Sequence, residues 1–567
     1  MTVERNIPLG QLLIEKGLIT PQQLQAALEE QQVTRERLGC VLLRFGFISE
    51  EKVFLPLLAG QIGCEYVDVK TLDIPEEIIK LLPPKFASHY NAIPIQQDGD
   101  VLTIATPFPF DLSMTDAVET LWAGRIRTVL SSASDVAEVI RQHYGIGAET
   151  IDAMMGTKEK KGSPQESAVT DILEIDSEAS IGKFINQVLL EAYNRRATDI
   201  HIEPFEDALR VRYRVDGILS DAQAPSNIWV FRDAINSRIK IMSRLNIAEK
   251  RLPQDGRFKV RVGGAQLDLR VSFLPTPYGE SVVIRLLNSN RLFDLTELGL
   301  SDENLRILDG LIRKPHGIIF VTGPTGSGKT TTLYSCLSRI NHDEHKIITI
   351  EDPIEYQLKG VVQLQINPAI HFTFASGLRS MLRHDPDVMM VGEVRDLETA
   401  EIAIQIALTG HLVFSTLHTN DAASGVTRLL DMGIEPYLIS SAVECFIAQR
   451  LVRRICPKCK VRVQLDRQLA RDLGAVTGGL SPIEAYAGRG CEFCNGSGFY
   501  GRQGIYEFLV LRDEIKEMIA QKMPCSKIKE KAVTLGMKTL LDDGWDKVLK
   551  GVTTAEEVLR VTQEDDQ

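Results

Sequence analysis

Gly317-Ile318-Ile319-Phe320-Val321-Thr322 runs without a break into Gly323-Pro324-Thr325-Gly326-Ser327-Gly328-Lys329-Thr330, and Thr331 to Leu337 continues with helical spacing. A buried strand, a glycine loop and a helix, in that order, are the setting in which this pattern wraps phosphate. Backbone N–H groups of the loop and of the helix N-terminus point at phosphate oxygens. Gly323, Pro324, Thr325, Gly326, Ser327, Gly328, Lys329, Thr330 and Thr331 are therefore the candidate ATP contacts. Lys329 would reach the β- and γ-phosphates, and the Thr330 hydroxyl would ligate Mg2+.

Further along the chain, apolar runs at Ile347 to Ile350, Val388 to Val391 and Leu412 to Phe414 alternate with helical stretches. That alternation predicts a parallel sheet covered by helices. Two of these strands run into acids, one into Glu351-Asp352-Pro353-Ile354-Glu355 and one into Gly392-Glu393. In a parallel sheet they share the edge that carries the glycine loop. Glu351, Glu355 and Glu393 are thus candidate catalytic carboxylates, with solvated acids as the alternative for the first two. Many phosphate-loop enzymes carry Asp where Gly392 stands, so Glu393 would act through metal-bound water or by orienting water. Which glutamate does so stays open. His411 and His418 bracket the strand at Leu412, where they could sense phosphate or cap strand ends.

On the N-terminal side, Leu209-Val211-Tyr213 and Leu267-Leu269-Val271 alternate with polar residues. They predict an α/β domain over 177–288, joined to the phosphate-loop core by a link at 289–303. Residues 1–62 contain a repeat offset by 29, in which Leu9-Gly10, Leu13, Gly17 and Ile19 match Leu38-Gly39, Leu42, Gly46 and Ile48. In the first copy Thr20 and Pro21 open a helix whose face is Leu24, Ala27, Leu28 and Gln31. Residues 63–145 mix short strands (Val101 to Ile104, Arg127 to Leu130) with helices, and 146–176 reads as a flexible linker. The core is expected over 304–455, a cysteine-bearing insertion over 456–506 and a helical tail over 507–567. Thr554-Ala555-Glu556-Glu557 fits a capping box for the last helix.

The 567 residues exceed what one core organises, and the net charge of -12 argues against a general electrostatic grip on nucleic acid or anionic lipid. Apolar runs are far shorter than the ~20 residues that span a bilayer. The start lacks a basic segment leading into an apolar core, which predicts a chain that stays in the cytoplasm. Of nine cysteines, Cys40, Cys64, Cys336, Cys445 and Cys525 are scattered and read as small buried side chains. The others form Cys456-Pro457-Lys458-Cys459 and Cys491-Glu492-Phe493-Cys494. Two such knuckles supply four thiolates, the ligand set of a structural Zn2+.

Several stretches resemble the secretion-ATPase superfamily, over about residue 180 to the C-terminus. They are Glu351-Asp352-Pro353-Ile354-Glu355-Tyr356, Arg383-His384-Asp385-Pro386-Asp387, Val391-Gly392-Glu393-Val394-Arg395-Asp396, and Thr409-Gly410-His411 to Leu417-His418-Thr419-Asn420. The resemblance implies an α/β chain with a RecA-like P-loop core, a preceding small α/β domain, a four-cysteine zinc insertion, and a helical plus α/β N-terminal module, assembled as a homo-hexamer. It implies catalytic roles for Lys329, Glu393 and His418, and it places Arg270 and Arg285 on the preceding domain as charges for the γ-phosphate. Arg379, Arg383 and Arg395 match family arginines needed for assembly or hydrolysis.

The zinc insertion belongs to the secretion and pilus-extension branches rather than to retraction motors. Arg313 to Ile318 and Asp431 to Ile439 are closer to type II secretion than to type IV pilus assembly. Inner-membrane platform proteins are then the implied partners of the N-terminal module. Its repeat also resembles half-motifs that bind cyclic di-GMP in some relatives. Pro8 replaces the first arginine, Arg37 is kept, and Pro56 and Gly60 replace an alanine and a glutamine, which favours docking over ligand binding. A nucleic-acid translocase and a non-hydrolysing nucleotide scaffold are the rival functions.

Overall fold

Ile318, Ile319, Phe320 and Val321 are each at most 1% exposed in the computed structural model, as a strand covered on both faces requires. The structure describes residues 9–15, 17–34, 38, 41–42, 45, 47, 55–56, 58–60, 63–145, 170–222, 224–262, 265–287, 293–472 and 483–563. Pro8, Arg37, Gly39, Cys40, Gly46, Ile48 and positions 146–169 of the expected linker lie outside them. The chain forms two compact units, Met1–Leu286 and Leu287–Gln567.

In the first unit the helix Pro21–Thr34 starts where Thr20 and Gln23 cap each other, Thr20 N donating to Gln23 Oε1 at 2.8 Å and Gln23 N to Thr20 Oγ1 at 3.3 Å. Ala27 is buried with Leu13, Ile19, Val41 and Leu42, but Leu28 is 41% exposed. Adjacent helical residues lie about 100° apart, so a narrow contact buries one and not the next. Strands β1 (Ile93–Asp98), β2 (Val101–Thr106) and β3 (Arg125–Leu130) form a three-stranded sheet. The helix Thr170–Asn194 begins inside the stretch expected as linker.

A six-stranded sheet follows, made of β4 (Ala197–Pro204), β5 (Leu209–Val215), β6 (Ile218–Asp221), β7 (Gln254–Val262), β8 (Ala265–Thr276) and β9 (Gly279–Leu287). Their order is β6-β5-β4-β9-β8-β7. Leu209, Val211, Tyr213, Leu267, Leu269 and Val271 all face its core, as their alternation predicts.

The second unit is built on β10 (Gly317–Thr322), β11 (Ile347–Glu351), β12 (Val362–Gln365), β13 (Val388–Val391), β14 (Leu412–Leu417) and β15 (Val443–Ile455). Next come β16 (Lys460–Leu465), β17 (Ile483–Gly488) and β18 (Phe499–Val510). The seven-stranded sheet has the order β12-β11-β13-β14-β10-β15-β18, and β16 and β17 form a separate hairpin. β10 to β15 all run parallel to one another, and β18 is antiparallel to β15. Ile318 and Phe320 pack into one apolar core while Ile319 and Val321 pack into another, so both faces of the sheet are covered.

β18 runs across residue 506, where the sequence divides the cysteine insertion from the tail. Its pairing with β15 makes it a core strand, a long-range contact that no local pattern reports. Residues 293–303, expected as link, pack into the motor through the buried Leu295 and Leu298, and Ser335 Oγ donates to Phe293 O at 2.7 Å. At the last helix, Ala555–Gln563, Thr554 Oγ1 accepts from Glu557 N at 3.4 Å, but the Glu557 carboxylate binds Arg453 and Arg560. Charged donors displace the backbone N–H that a full capping box would use. Cys336 and Cys445 are buried, and Cys64 and Cys525 are half-buried. Among the described residues no helix is long and apolar enough to cross a membrane.

Candidate functional site

The loop after β10 turns through glycines at φ +148° (Gly323) and +88° (Gly328), backbone that L side chains rarely adopt. A Cβ at Gly323 would stand 2.6 Å from Gln449 O and from Ser327 Oγ, so the loop lies hard against β15. The helix Lys329–Ile340 starts at its end and directs its free N–H groups toward the loop. Lys329 Nζ donates to Gly323 O at 2.7 Å and to Pro324 O at 2.9 Å. Burial lowers the proton affinity of its ammonium to about 8, Arg450 adds to that, and Glu393 opposes it. Ser327 Oγ is buried without a hydrogen-bond partner, a polar atom that a phosphate oxygen would satisfy. Pro324, Thr325 and Gly326 are exposed, and Thr330 and Thr331 are half-buried.

Parallel register brings the ends of β11, β13, β14 and β10 to one edge. Glu393, two residues past β13, lies 2.5 Å from Arg395 Nη2 through Oε1 and 3.4 Å from His418 Nε2 through Oε2. His418 follows β14. Burial lowers its proton affinity and the Lys329 charge adds to this, against the pull of Glu393. The structure thus gathers Lys329, Glu393 and His418. It places His411 at the other end of β14, where Nδ1 lies 3.2 Å from Ile406 O and from Thr409 Oγ1.

Glu351 is 3% exposed, and its carboxylate accepts from the Tyr334 hydroxyl, from Thr349 Oγ1 at 2.6 Å and from Gln363 Nε2 at 3.0 Å. A carboxylate held by three protein donors is poorly free to turn toward water. Glu355 is half-buried beside Tyr356, whose ring meets Tyr334 edge-on at 4.6 Å. The glycine at 392 has a local reason. A Cβ there would meet Glu351 Cα and Ile350 O at 3.3 Å, backbone atoms that cannot swing aside.

In the first unit, Arg270 is half-buried on β8 between the buried Leu269 and Val271. Arg285 on β9 is more exposed, and its Nε donates to Asp199 Oδ1 at 2.9 Å. In the second unit Arg379 pairs with Glu398 at 2.6 Å, and Arg383 donates to Arg379 O at 2.9 Å.

The sequence reading missed the β15 pair Gln449 and Arg450. Gln449 accepts from Thr332 Oγ1 at 2.8 Å, and a Cβ at Gly323 would lie 3.3 Å from Arg450 Nη1. Two polar residues that interrupt the apolar run from Cys445 to Val452 were the available signal.

The Sγ atoms of Cys456, Cys459, Cys491 and Cys494 all lie within 4.8 Å of one another. Separations of 3.8 Å (Cys456 to Cys491), 3.9 Å (Cys459 to Cys494) and 3.7 Å (Cys491 to Cys494) match the ~3.8 Å edge of a tetrahedron with Zn–S bonds of about 2.3 Å. Desolvation resists ionisation of Cys494, but the N–H groups of Cys491 and Gly498 bring its thiol down to about 7. The donor set fits zinc.

A family model described as type II/IV secretion system protein matches residues 174–560, and an MshEN domain matches residues 62–150. The chain is 41% identical to the type IV pilus assembly ATPase PilB of Myxococcus xanthus, covering 98% of this chain and 99% of that one. It is 41% identical to the type II secretion system protein E of Xanthomonas campestris, covering 97% and 98%. To the type II secretion system ATPase E of Vibrio cholerae it is 48% identical, covering 76% and 84%.

Proposed function

The chain belongs to the type II/IV secretion system protein family, and from that membership we propose that it is the hexameric motor that drives pseudopilus assembly for type II secretion. It is an ATP hydrolase of this family. The observation that carries the reading is the meeting of Lys329 and Glu393 at one sheet edge, with Arg395 and His418 on the two oxygens of Glu393.

In the proposed mechanism the loop N–H groups and Lys329 bind the β- and γ-phosphates, Lys329 exchanging its contacts with Gly323 O and Pro324 O for phosphate oxygens. Thr330 and Glu393 would hold magnesium, which supplies positive charge against the phosphates when bound. Glu393 orients the attacking water, and His418 faces the same carboxylate. Glu351, tied to Tyr334, Thr349 and Gln363, shapes the strand end, which leaves Glu355 as the second carboxylate for water. Arg270 and Arg285 supply charge toward the γ-phosphate. The four cysteines would hold zinc, which would contribute to folding rather than to chemistry, since four thiolates complete a structural ligand set.

The domain division is proposed as 1–145, 177–288, 304–455, 456–506 and 507–567, with Leu295 and Leu298 of the intervening link joining the motor's core and β18 crossing the boundary at 506. The N-terminal module docks on inner-membrane platform proteins, and the motor itself is cytoplasmic. A second reading, extension of a type IV pilus, is favoured by the match to PilB along nearly the whole chain. Gene deletion in the source organism separates the two, because loss of extracellular enzymes supports secretion and loss of surface pili supports extension. For the chemistry, purified Lys329→Ala should neither bind nor turn over ATP, and Glu393→Gln should bind ATP but lose about 10²-fold or more in turnover. Wild-type turnover by Glu393→Gln would sink the mechanism.

A further inference from the structure

After Leu417, the buried last residue of β14, the chain passes His418, Thr419, Asn420 and Asp421 before the helix Ala422–Asp431 begins. Asp421 caps that helix, accepting from Ser424 N at 2.8 Å, and its own carbonyl accepts from Thr419 Oγ1 at 3.1 Å. A helix N-terminus is served by one such acceptor. Here two more charged groups converge on the same turn, both from the last part of the chain. Glu507 on β18 accepts from Ala422 N at 2.9 Å. Lys529, on the helix Cys525–Thr534, donates to Asp421 Oδ2 at 2.6 Å and stands 3.9 Å from Glu507 Oε2.

These are costly groups to bury. Glu507 is 1% exposed, its Oε2 makes no hydrogen bond, and burial raises its proton affinity. Burial also works against ionised Asp421, but Lys529 and Ser424 hold it below its ordinary value. Desolvating charges costs several kcal/mol per ion unless partners compensate. A cap alone does not call for buried charge of this kind, whereas fixing the turn at both ends does. β14 anchors the turn at Leu417, and the Lys529–Glu507 pair anchors it at Asp421 and Ala422.

We propose that Lys529 and Glu507 are positioning residues for ATP hydrolysis, which hold the turn so that His418 stays against Glu393. This rests on the roles given above to Glu393 and His418. His418 lies three residues before Asp421, and its Nε2 is 3.4 Å from Glu393 Oε2. Loosening the distal anchor lets the imidazole drift, and small misplacements near reacting groups cost rate more than binding.

The test is a double-mutant cycle on turnover by the full chain. Lys529→Met should lower kcat about tenfold with KM for ATP unchanged, and Lys529→Arg should restore most of it. In a His418→Ala background, Lys529→Met should cost less than about twofold more, because the group it positions is gone. Glu507→Gln, a neutral isostere, should repeat the pattern and carries the comparison if Lys529→Met does not fold. Equal losses with and without His418, an unchanged kcat in Lys529→Met, or full turnover in His418→Ala would each overturn the proposal. Glu393→Gln keeps the underlying reading separate. Its retained turnover would refute that reading, and its loss beside a silent Lys529→Met would refute only the positioning role.

Discussion

The ammonium of Lys329 lies 2.7 Å from the carbonyl oxygen of Gly323, so the lysine folds back onto its own loop. Burial holds its proton affinity near 8, against an ordinary 10.5. Between those values the unfolded chain keeps a proton that the folded chain releases, and stability from this group rises with pH. Below about pH 8 the folded state carries the full penalty of a buried ammonium. The melting temperature of wild type minus that of Lys329→Met should therefore increase from pH 7.5 to pH 10, while ATP affinity falls as the charge is lost. A difference flat in pH would refute the assignment.

Zinc should be recovered at about one atom per chain, and Cys459→Ser should reduce that to nearly none. Binding to four thiolates contributes directly to folding, so the variant should melt earlier and be insensitive to a chelator that lowers the wild-type melting point. Where the variant folds, turnover should stay within about twofold of wild type, since no coordination position is left for chemistry. Purified wild-type protein without zinc would rule the site out.

Gly425 lets the helix Ala422–Asp431 lie against β15. A Cβ there would stand 2.6 Å from Phe446 Cδ1, and the Phe446 ring stacks on Phe320 at 5.5 Å. Gly425→Ala should destabilise the second unit by about 1–3 kcal/mol through overpacking, measured by denaturant melting. Phe446→Leu should recover part of that loss when combined with it. Additive losses would show that the contact is not the cause.

Arg285 tests the charge proposed for the γ-phosphate. Its pair with Asp199 is half-exposed on the arginine side, so Arg285→Ala should cost the fold under about 1 kcal/mol. If the arginine acts on the transition state, the same variant should lose at least about tenfold in turnover and still bind ADP. A melting shift with unchanged turnover would reduce it to a structural salt bridge.

Much of the motor was legible along the chain because its signals are local. Glycines that must turn through positive φ, and apolar runs covered on both faces, mark β10 and its loop in the sequence, and the parallel strands at Ile347, Val388 and Leu412 are borne out. The four cysteines carry their ligand set in their spacing. The N-terminal helix was less legible, since periodicity shows which residues could face a core and not how wide the contact is, and Leu28 stayed outside it.

What residue types and local spacing settle, then, is the phosphate loop, the acids and histidine at strand ends, and the thiolate set, because backbone sterics and ligand chemistry act between near neighbours. Strand order is decided only by the tertiary structure. By placing β14 between β13 and β10, the fold brings His418 to Glu393 and both beside Lys329. The same packing ties up Glu351 with Tyr334 and Gln363, sets Gln449 and Arg450 behind the loop, and lays Lys529 and Glu507 on the turn after His418. Each of these contacts crosses between elements, and its geometry comes from how sheet and helices pack, which no local period encodes.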